Sequence, residues 1–118
     1  MTGDEVRALC LALPETTEKE TWADDENPGH PTFRIRDKIF VIMAVDGSGG
    51  SIRTSMAEQS DLTSAFPEAA RIASYVGRFG WVDIDFDAIP DEVLRETIEA
   101  AWARTAPKKL AAWWREGR

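Results

Sequence analysis

Five cations and one tryptophan are the residues of this chain best suited to holding a ligand. They are Arg34, Arg36, Lys38, Arg53, Arg78 and Trp81. Guanidinium and ammonium groups neutralise phosphate, and an aromatic ring can stack on a base. The combination is typical of nucleic-acid contact, and four or five such phosphate contacts would give weak, strongly salt-dependent binding. The competing interpretation is a solvated strand face that carries the arginines, with the tryptophan in the core.

Carboxylates form the second group with possible chemistry. Hard metal ions prefer oxygen ligands, but the spacing of these acids matches no calcium-binding loop, and a solvated acidic surface is the preferred interpretation. We therefore predict no metal site and no cofactor, and keep metal binding on the acidic surface as an alternative. The acids concerned are Glu15, Glu18, Glu20, Asp24, Asp25 and Glu26 in one segment, and the alternating Asp83, Asp85 and Asp87.

Catalytic groups are sparse. His30 is the only histidine and lies between Gly29 and Pro31 in a predicted loop, which excludes a site built from several histidines. Cys10 falls on the apolar face of the first predicted helix, where a thiol is typically inert. No serine has a base at a recognisable spacing. We therefore predict that the protein is not an enzyme.

Length and charge set further limits. The chain has 118 residues, of which 43% are hydrophobic and 30% charged, which fits one globular domain over residues 1–118. The net charge of −7 argues against a protein that binds phosphate over its whole surface, although residues 31–60 carry four bases against three acids. There is no apolar run near the roughly 20 residues of a membrane span. With one cysteine and no recognisable secretory signal, we expect a cytoplasmic protein.

Helices are predicted from capping residues and apolar spacing. Thr2 with Glu5, and Ser55 with Glu58, fit capping boxes at the starts of two helices. A third, longer helix follows the last strand, and a short terminal helix is predicted over residues 108–115. The inner stripe of the third helix is predicted to comprise Leu94, Ile98, Ala101, Trp102 and Thr105.

Alternating patterns predict the strands. A charged edge strand is expected within residues 15–22, and residues 32–36 alternate apolar with polar before a turn at Asp37-Lys38. Residues 39–45 are apolar throughout, which predicts a central strand covered on both faces for much of its length. A second hairpin is predicted from residues 72–76 and 81–86. The resulting order, α-β(3–4)-α-β-β-α-(α), predicts a two-layer α+β domain, with an antiparallel sheet and helices on one face.

Two adjacent tryptophans in the basic tail indicate a further contact surface. Trp113 and Trp114 point about 100° apart on a helix, so both cannot enter the same core. One exposed ring would suit a protein partner or a homodimer. A protein-interaction module that uses the sheet face and these tryptophans is therefore the main alternative to DNA binding.

Several ordered motifs resemble one known family, the MmcQ/YjbR family, over nearly the whole chain. They comprise residues 11–15 with Glu18 and Trp22, residues 30–34 with 38–40, residues 75–78 with 80–82, and residues 94–113 with the run Ala106-Pro107-Lys108-Lys109. The resemblance implies a fold similar to the bacterial frataxin homologue. It also implies DNA binding through a double-wing arrangement of hairpins, in which the six residues named first would lie in the wings.

Overall fold

The computed structural model describes residues 1–26 and 28–117. The helices are α1 (Gly3–Ala12), α2 (Met56–Ala65), α3 (Asp91–Thr105) and α4 (Lys108–Glu116), with a short 3₁₀ helix at Gly77–Phe79. The strands are β1 (Thr16–Thr21), β2 (His30–Ile35), β3 (Lys38–Met43), β4 (Gly49–Arg53), β5 (Ala70–Ile72) and β6 (Trp81–Asp85). Within the described ranges, none of the helices is both long and apolar enough to cross a membrane.

The six strands form one sheet in the order β1-β2-β3-β4-β6-β5, and every neighbouring pair is antiparallel. Helix α1 contacts β1, α3 contacts β3 and β4, and α2 contacts β5 and β6. The predicted two-layer α+β class and order of elements are confirmed. The predicted edge strand is β1, and β5 is the other edge.

A continuous apolar row crosses the sheet beneath the helices. Phe33, Val41, Ile52 and Val82 are register partners on successive strands, and all four are fully buried. The five residues predicted to line the inner stripe of α3 are all buried against this face. Trp102 anchors the helix because its indole Nε1 donates a hydrogen bond to the Pro14 carbonyl at 3.1 Å.

The first helix contributes a thiol to the core. Cys10 is fully buried, and that burial, followed by the nearby Glu18 carboxylate, raises the pKa of its thiol to about 12. Since the thiolate is the reactive form, this cysteine is unreactive at neutral pH. The sequence prediction of a core thiol is confirmed.

The apolar run of β3 has a different cause from the one predicted. The register between β2 and β3 shifts at Phe33/Arg34, so that Phe40 is an extra residue in its strand. Phe40 and Val41 are adjacent in sequence and both fully buried, whereas Ile42 is only half-buried. The prediction that this strand is covered on both faces is wrong: a bulge lets two neighbouring side chains enter one core.

The first hairpin turns one residue earlier than predicted. β2 ends at Ile35, and the turn residues are Arg36 and Asp37, whose φ angles are 49° and 65°. Two central residues with positive φ are typical of the type I′ turn, which matches the twist of the flanking strands. Lys38 is therefore the first residue of β3, and Arg36 lies outside the strand face that was predicted to carry it.

The first strand of the second hairpin lies earlier than predicted and is shorter, and the connection is longer: of the predicted residues 72–76, only Ile72 is in the strand. β5 comprises only Ala70–Ile72, and residues 73–80 include the 3₁₀ helix. The buried side chain of Gln59 fixes this connection because its Nε2 donates to the carbonyls of Gly77 and Trp81, each at 2.7 Å. Gly80 closes it with a φ of 96°, where a Cβ would collide with the Thr54 carbonyl.

We expect Gln59→Leu to destabilise the protein, because it removes a side-chain hydrogen bond from each of two carbonyls, which keep only their backbone donors, the N–H of Gly80 for Gly77 and the N–H of Ala73 for Trp81. The free energy of unfolding should fall by about 1–3 kcal/mol, since each hydrogen bond contributes about 0.5–1.5 kcal/mol. Urea unfolding followed by circular dichroism measures the change. Ser60→Ala, at the exposed neighbouring position, is the control and should change stability little. Equal stability of the two variants would contradict the anchoring role of Gln59.

Candidate functional site

The face of the sheet opposite α1 and α3 carries most of the polar side chains of the strands. One row crosses all six strands on this open face, through the register partners Lys19, Thr32, Ile42, Ser51, Asp83 and Arg71. Because side chains alternate along a strand, residues two positions away from this row share its face. The open face therefore has two ends, one on each side of the row.

One end of the open face is cationic. Arg34 lies two residues beyond Thr32 on β2, and Arg53 two residues beyond Ser51 on β4, with Trp81 as the β6 register partner of Arg53. Arg34 donates from Nε to Thr32 Oγ1 and from a terminal nitrogen to Thr21 Oγ1, both at 3.1 Å. These are neutral partners, so the positive charge of Arg34 is not cancelled there. The structure thus brings Arg34, Arg53 and Trp81 together on one face.

Two of the other predicted residues lie elsewhere. Arg36 forms an ion pair with Glu15, with 3.1 Å between Nε and Oε1, and this carboxylate raises the pKa of the guanidinium. Lys38 is exposed and, together with Arg36, lines a groove of about 260 Å³ beside Pro107, at the junction of α3 and α4. In the first hairpin, Arg36 is therefore paired with a carboxylate, and neither Arg36 nor Lys38 lies with Arg34 on the open face.

The connection between β5 and β6 presents aromatic rings to solvent. Tyr75 is 95% exposed and Phe79 is 63% exposed, and the Arg78 guanidinium lies 4.8 Å from the centre of the Phe79 ring. The sequence pointed to Arg78 with Phe79 beside it in the turn, but not to Tyr75, whose position resembled that of an ordinary strand residue. The connection leads directly into Trp81, which is half-buried.

The other end of the open face contains a groove of about 350 Å³ with mixed charge. His30 stands on one side, and Asp83 with Asp85 on the other, with Ile42 and Ser51 between them. The His30 ring makes a 3.1 Å contact from Nδ1 to the Met43 carbonyl and meets the Trp22 ring edge-on, with centroids 6.3 Å apart. His30 was predicted to lie in a loop, but it is the first residue of β2.

The charged groups around the groove are partly paired. Arg71 faces Asp85 through both terminal nitrogens, at 3.3 and 3.4 Å, and this carboxylate raises the pKa of Arg71. Ser48, at the rim, donates from its hydroxyl and its backbone N–H to Asp46, which lowers the pKa of that carboxyl. Ser51 donates a short hydrogen bond to Asp83.

The acidic segments show no arrangement that favours a metal. Within residues 1–26 and 28–117, the His, Cys, Asp and Glu side chains form no cluster of three that could hold an ion. Glu15 and Glu18 are paired with Arg36 and Arg7 respectively. These carboxylates therefore balance surface cations of the same domain.

The adjacent tryptophans of α4 have different environments. Trp113 is 64% exposed, whereas Trp114 packs on the buried Trp102 ring with centroids 5.0 Å apart. The expectation that only one of the two rings enters the core is met. Trp113 is therefore the ring available for contact with another molecule.

Two comparisons with known proteins agree with this architecture. A family model described as YjbR matches residues 11–104. The crystal structure of Deinococcus radiodurans protein DR2400, which contains a domain of the type DUF419, is similar with a TM-score of 0.73. The two chains share 19% identity, and the match covers 86% of this chain and 76% of the other, which indicates a shared fold. No curated protein matches this chain.

Proposed function

This chain belongs to the YjbR family, and we propose that it binds DNA weakly and with little sequence preference through the cationic end of its open sheet face. The observation that carries the proposal is the adjacency of Arg53 and Trp81, which are register partners on β4 and β6. A cation beside a ring can pair with a phosphate while the ring contacts the neighbouring base. Arg78 and its two exposed aromatic neighbours extend this surface.

The available charge supports binding at this end. Among the described residues, Arg53 and Arg78 form no ion pair, and Arg34 is bonded only to threonine hydroxyls. Three positive charges can therefore release counterions from a phosphate backbone, which is the source of non-specific affinity. Gln59 already holds the connection between β5 and β6 in place. This connection therefore loses less conformational entropy when its aromatic rings contact a ligand.

The same face limits the affinity. Asp83 lies two residues from Trp81 on β6, so its carboxylate is within about one Debye length of 8 Å from the cationic end at physiological salt. A like charge at that range repels phosphate, and the protein as a whole carries −7. Binding is therefore expected only at low ionic strength, without the many base-edge contacts that specificity requires.

Reversal of the free cations tests the proposal. In Arg53→Glu with Arg78→Glu, DNA affinity at low salt should fall, and the slope of log K against log salt should drop by about 2, one for each lost phosphate contact. Fluorescence anisotropy with a labelled duplex measures both quantities. The control is a double variant with the same change of net charge, Arg95→Glu with Arg104→Glu, on α3 away from the open face.

The comparison of the two double variants decides the outcome. Unchanged affinity in Arg53→Glu with Arg78→Glu, or equal losses in both, would show that the surface is not the binding site. No binding of the unmodified protein in the high-micromolar range would reject DNA binding altogether.

Release of the paired arginine in the first hairpin should strengthen binding. Glu15→Gln removes the carboxylate that pairs with Arg36, so one more cation becomes available near the β2–β3 turn. We expect DNA affinity at low salt to rise several-fold and the salt slope to increase by up to about 1. Glu68→Gln, at an exposed position outside the sheet, makes the same charge change and is the control. An equal gain in the control would mean that only net charge matters.

A second candidate function, contact with a protein or another copy of this chain, rests on the exposed Trp113 ring. Large exposed rings are common in protein interfaces. If a homodimer forms through α4, light scattering should give twice the 13.2 kDa mass, and Trp113→Ala should give the monomer. Trp22→Ala, which removes another exposed tryptophan, is the control. A monomer at all concentrations would contradict self-association.

A further inference from the structure

The groove at the other end of the open face is separate from the DNA-binding surface proposed above. Its walls are His30 on β2 and the carboxylate pair Asp83 and Asp85 on β6, and its floor is formed by β3 and β4. Gly49 leaves the floor open because it is the register partner of Asp85 and carries no side chain over the sheet. The groove is thus a depression built across four strands.

The hydrogen-bond direction of His30 is determined by its partner. The Met43 carbonyl can only accept a hydrogen bond, so Nδ1 carries the hydrogen in the 3.1 Å contact. In the neutral imidazole, Nε2 is then a bare acceptor. Among the described residues Nε2 has no hydrogen-bond partner, and His30 lines the groove.

The opposite wall also presents acceptors. Ser51 uses its hydroxyl hydrogen for Asp83 Oδ1, which leaves the lone pairs of the serine oxygen. The second oxygen of Asp83, Oδ2, forms no hydrogen bond with any described residue. Ser48, at the rim, likewise directs its hydroxyl hydrogen away, to Asp46.

The net charge of the groove also favours a ligand that is positively charged and donates hydrogen bonds. Asp83 and Asp85 carry two negative charges against the one positive charge of Arg71. Arg71 donates to Asp85 through both terminal nitrogens and interacts with its register partner Asp83 only through space. With His30 neutral, the lining has a formal charge of −1. Asp83 is the carboxylate left without a cationic hydrogen-bond partner in the described part of the chain.

We propose that this groove binds a small organic cation, a molecule with a primary ammonium or amidinium group. On the side of β4 and β6, such a group can donate hydrogen bonds to Asp83 Oδ2 and the Ser51 oxygen, and its charge offsets that of Asp83. His30 lies on β2, three strand spacings of about 4.8 Å from β6, so its Nε2 accepts from a donor at the other end of the ligand. The half-buried Ile42 side chain forms an apolar part of the floor for the carbon chain of the ligand, and Gly49 beside it leaves room because it has no side chain. A neutral alcohol of equal length cannot supply the charge, and a carboxylate is repelled.

The unique histidine makes the proposal measurable in the unmodified protein. With 1,4-diaminobutane as probe, NMR spectra should show His30 as the Nδ1–H form, and titration should shift Nε2 together with the amides of Ser51 and Asp83. The neutral 1,4-butanediol and the dianion succinate are the matched controls. Equal shifts with the diol, or no shift with the diamine, would overturn the proposal.

Variants then separate the groove from general surface charge. Asp83→Asn keeps the side-chain shape and an oxygen for the Ser51 hydrogen bond, and should weaken diamine binding at least about tenfold, as expected for loss of a charge-assisted hydrogen bond. Asp61→Asn makes the same charge change at an exposed position on α2 and should have no effect. Equal losses of diamine affinity in the two variants would mean that only the net charge of the protein matters, and would overturn the proposed site. Because Arg53 and Arg78 take no part, this result is independent of the DNA-binding test.

Discussion

The packing of α3 against one face of the sheet is the contact on which the rest of the structure depends. Trp102 is buried between this helix and the sheet, and its bond to the Pro14 carbonyl joins the helix to the chain that leads into β1. Full burial of one large side chain stabilises a fold by about 1.5–3 kcal/mol. Once Phe33, Val41 and Ile52 face this helix, strand alternation decides which residues must face solvent.

That constraint gives the open face its uneven charge. The residues that alternate with the core row include arginines toward one end of β2 and β4 and aspartates toward the other end of β6. The face therefore has a positive and a negative end a few residues apart, although the chain as a whole is acidic. We propose a different chemistry for each end, phosphate pairing at Arg53 and the binding of a hydrogen-bond donor at Asp83.

The sequence predicted the elements well because helix stripes and caps are local signals. The inner stripe of α3 and the N-caps at Thr2 and Ser55 follow from residues three or four positions apart. The site was less predictable because it depends on register. A turn displaced by one residue moved Arg36 off the strand face, and a bulge placed Phe40 in the core. The groove joins side chains of β2, β4 and β6, and no local pattern specifies which residues of those strands become neighbours.

The charged edge strand β1 has a consequence for the assembly of this sheet with other copies. If two copies joined edge to edge about a two-fold axis normal to the sheet, one residue of β1 would oppose itself. Centred on Glu18, Lys19 or Glu20, that pairing places like charges directly across the ladder, which is destabilising. The free edge of β1, with its exposed Glu18, Lys19 and Glu20, is thus a poor template for a second copy, and this charged strand forms the end of the sheet.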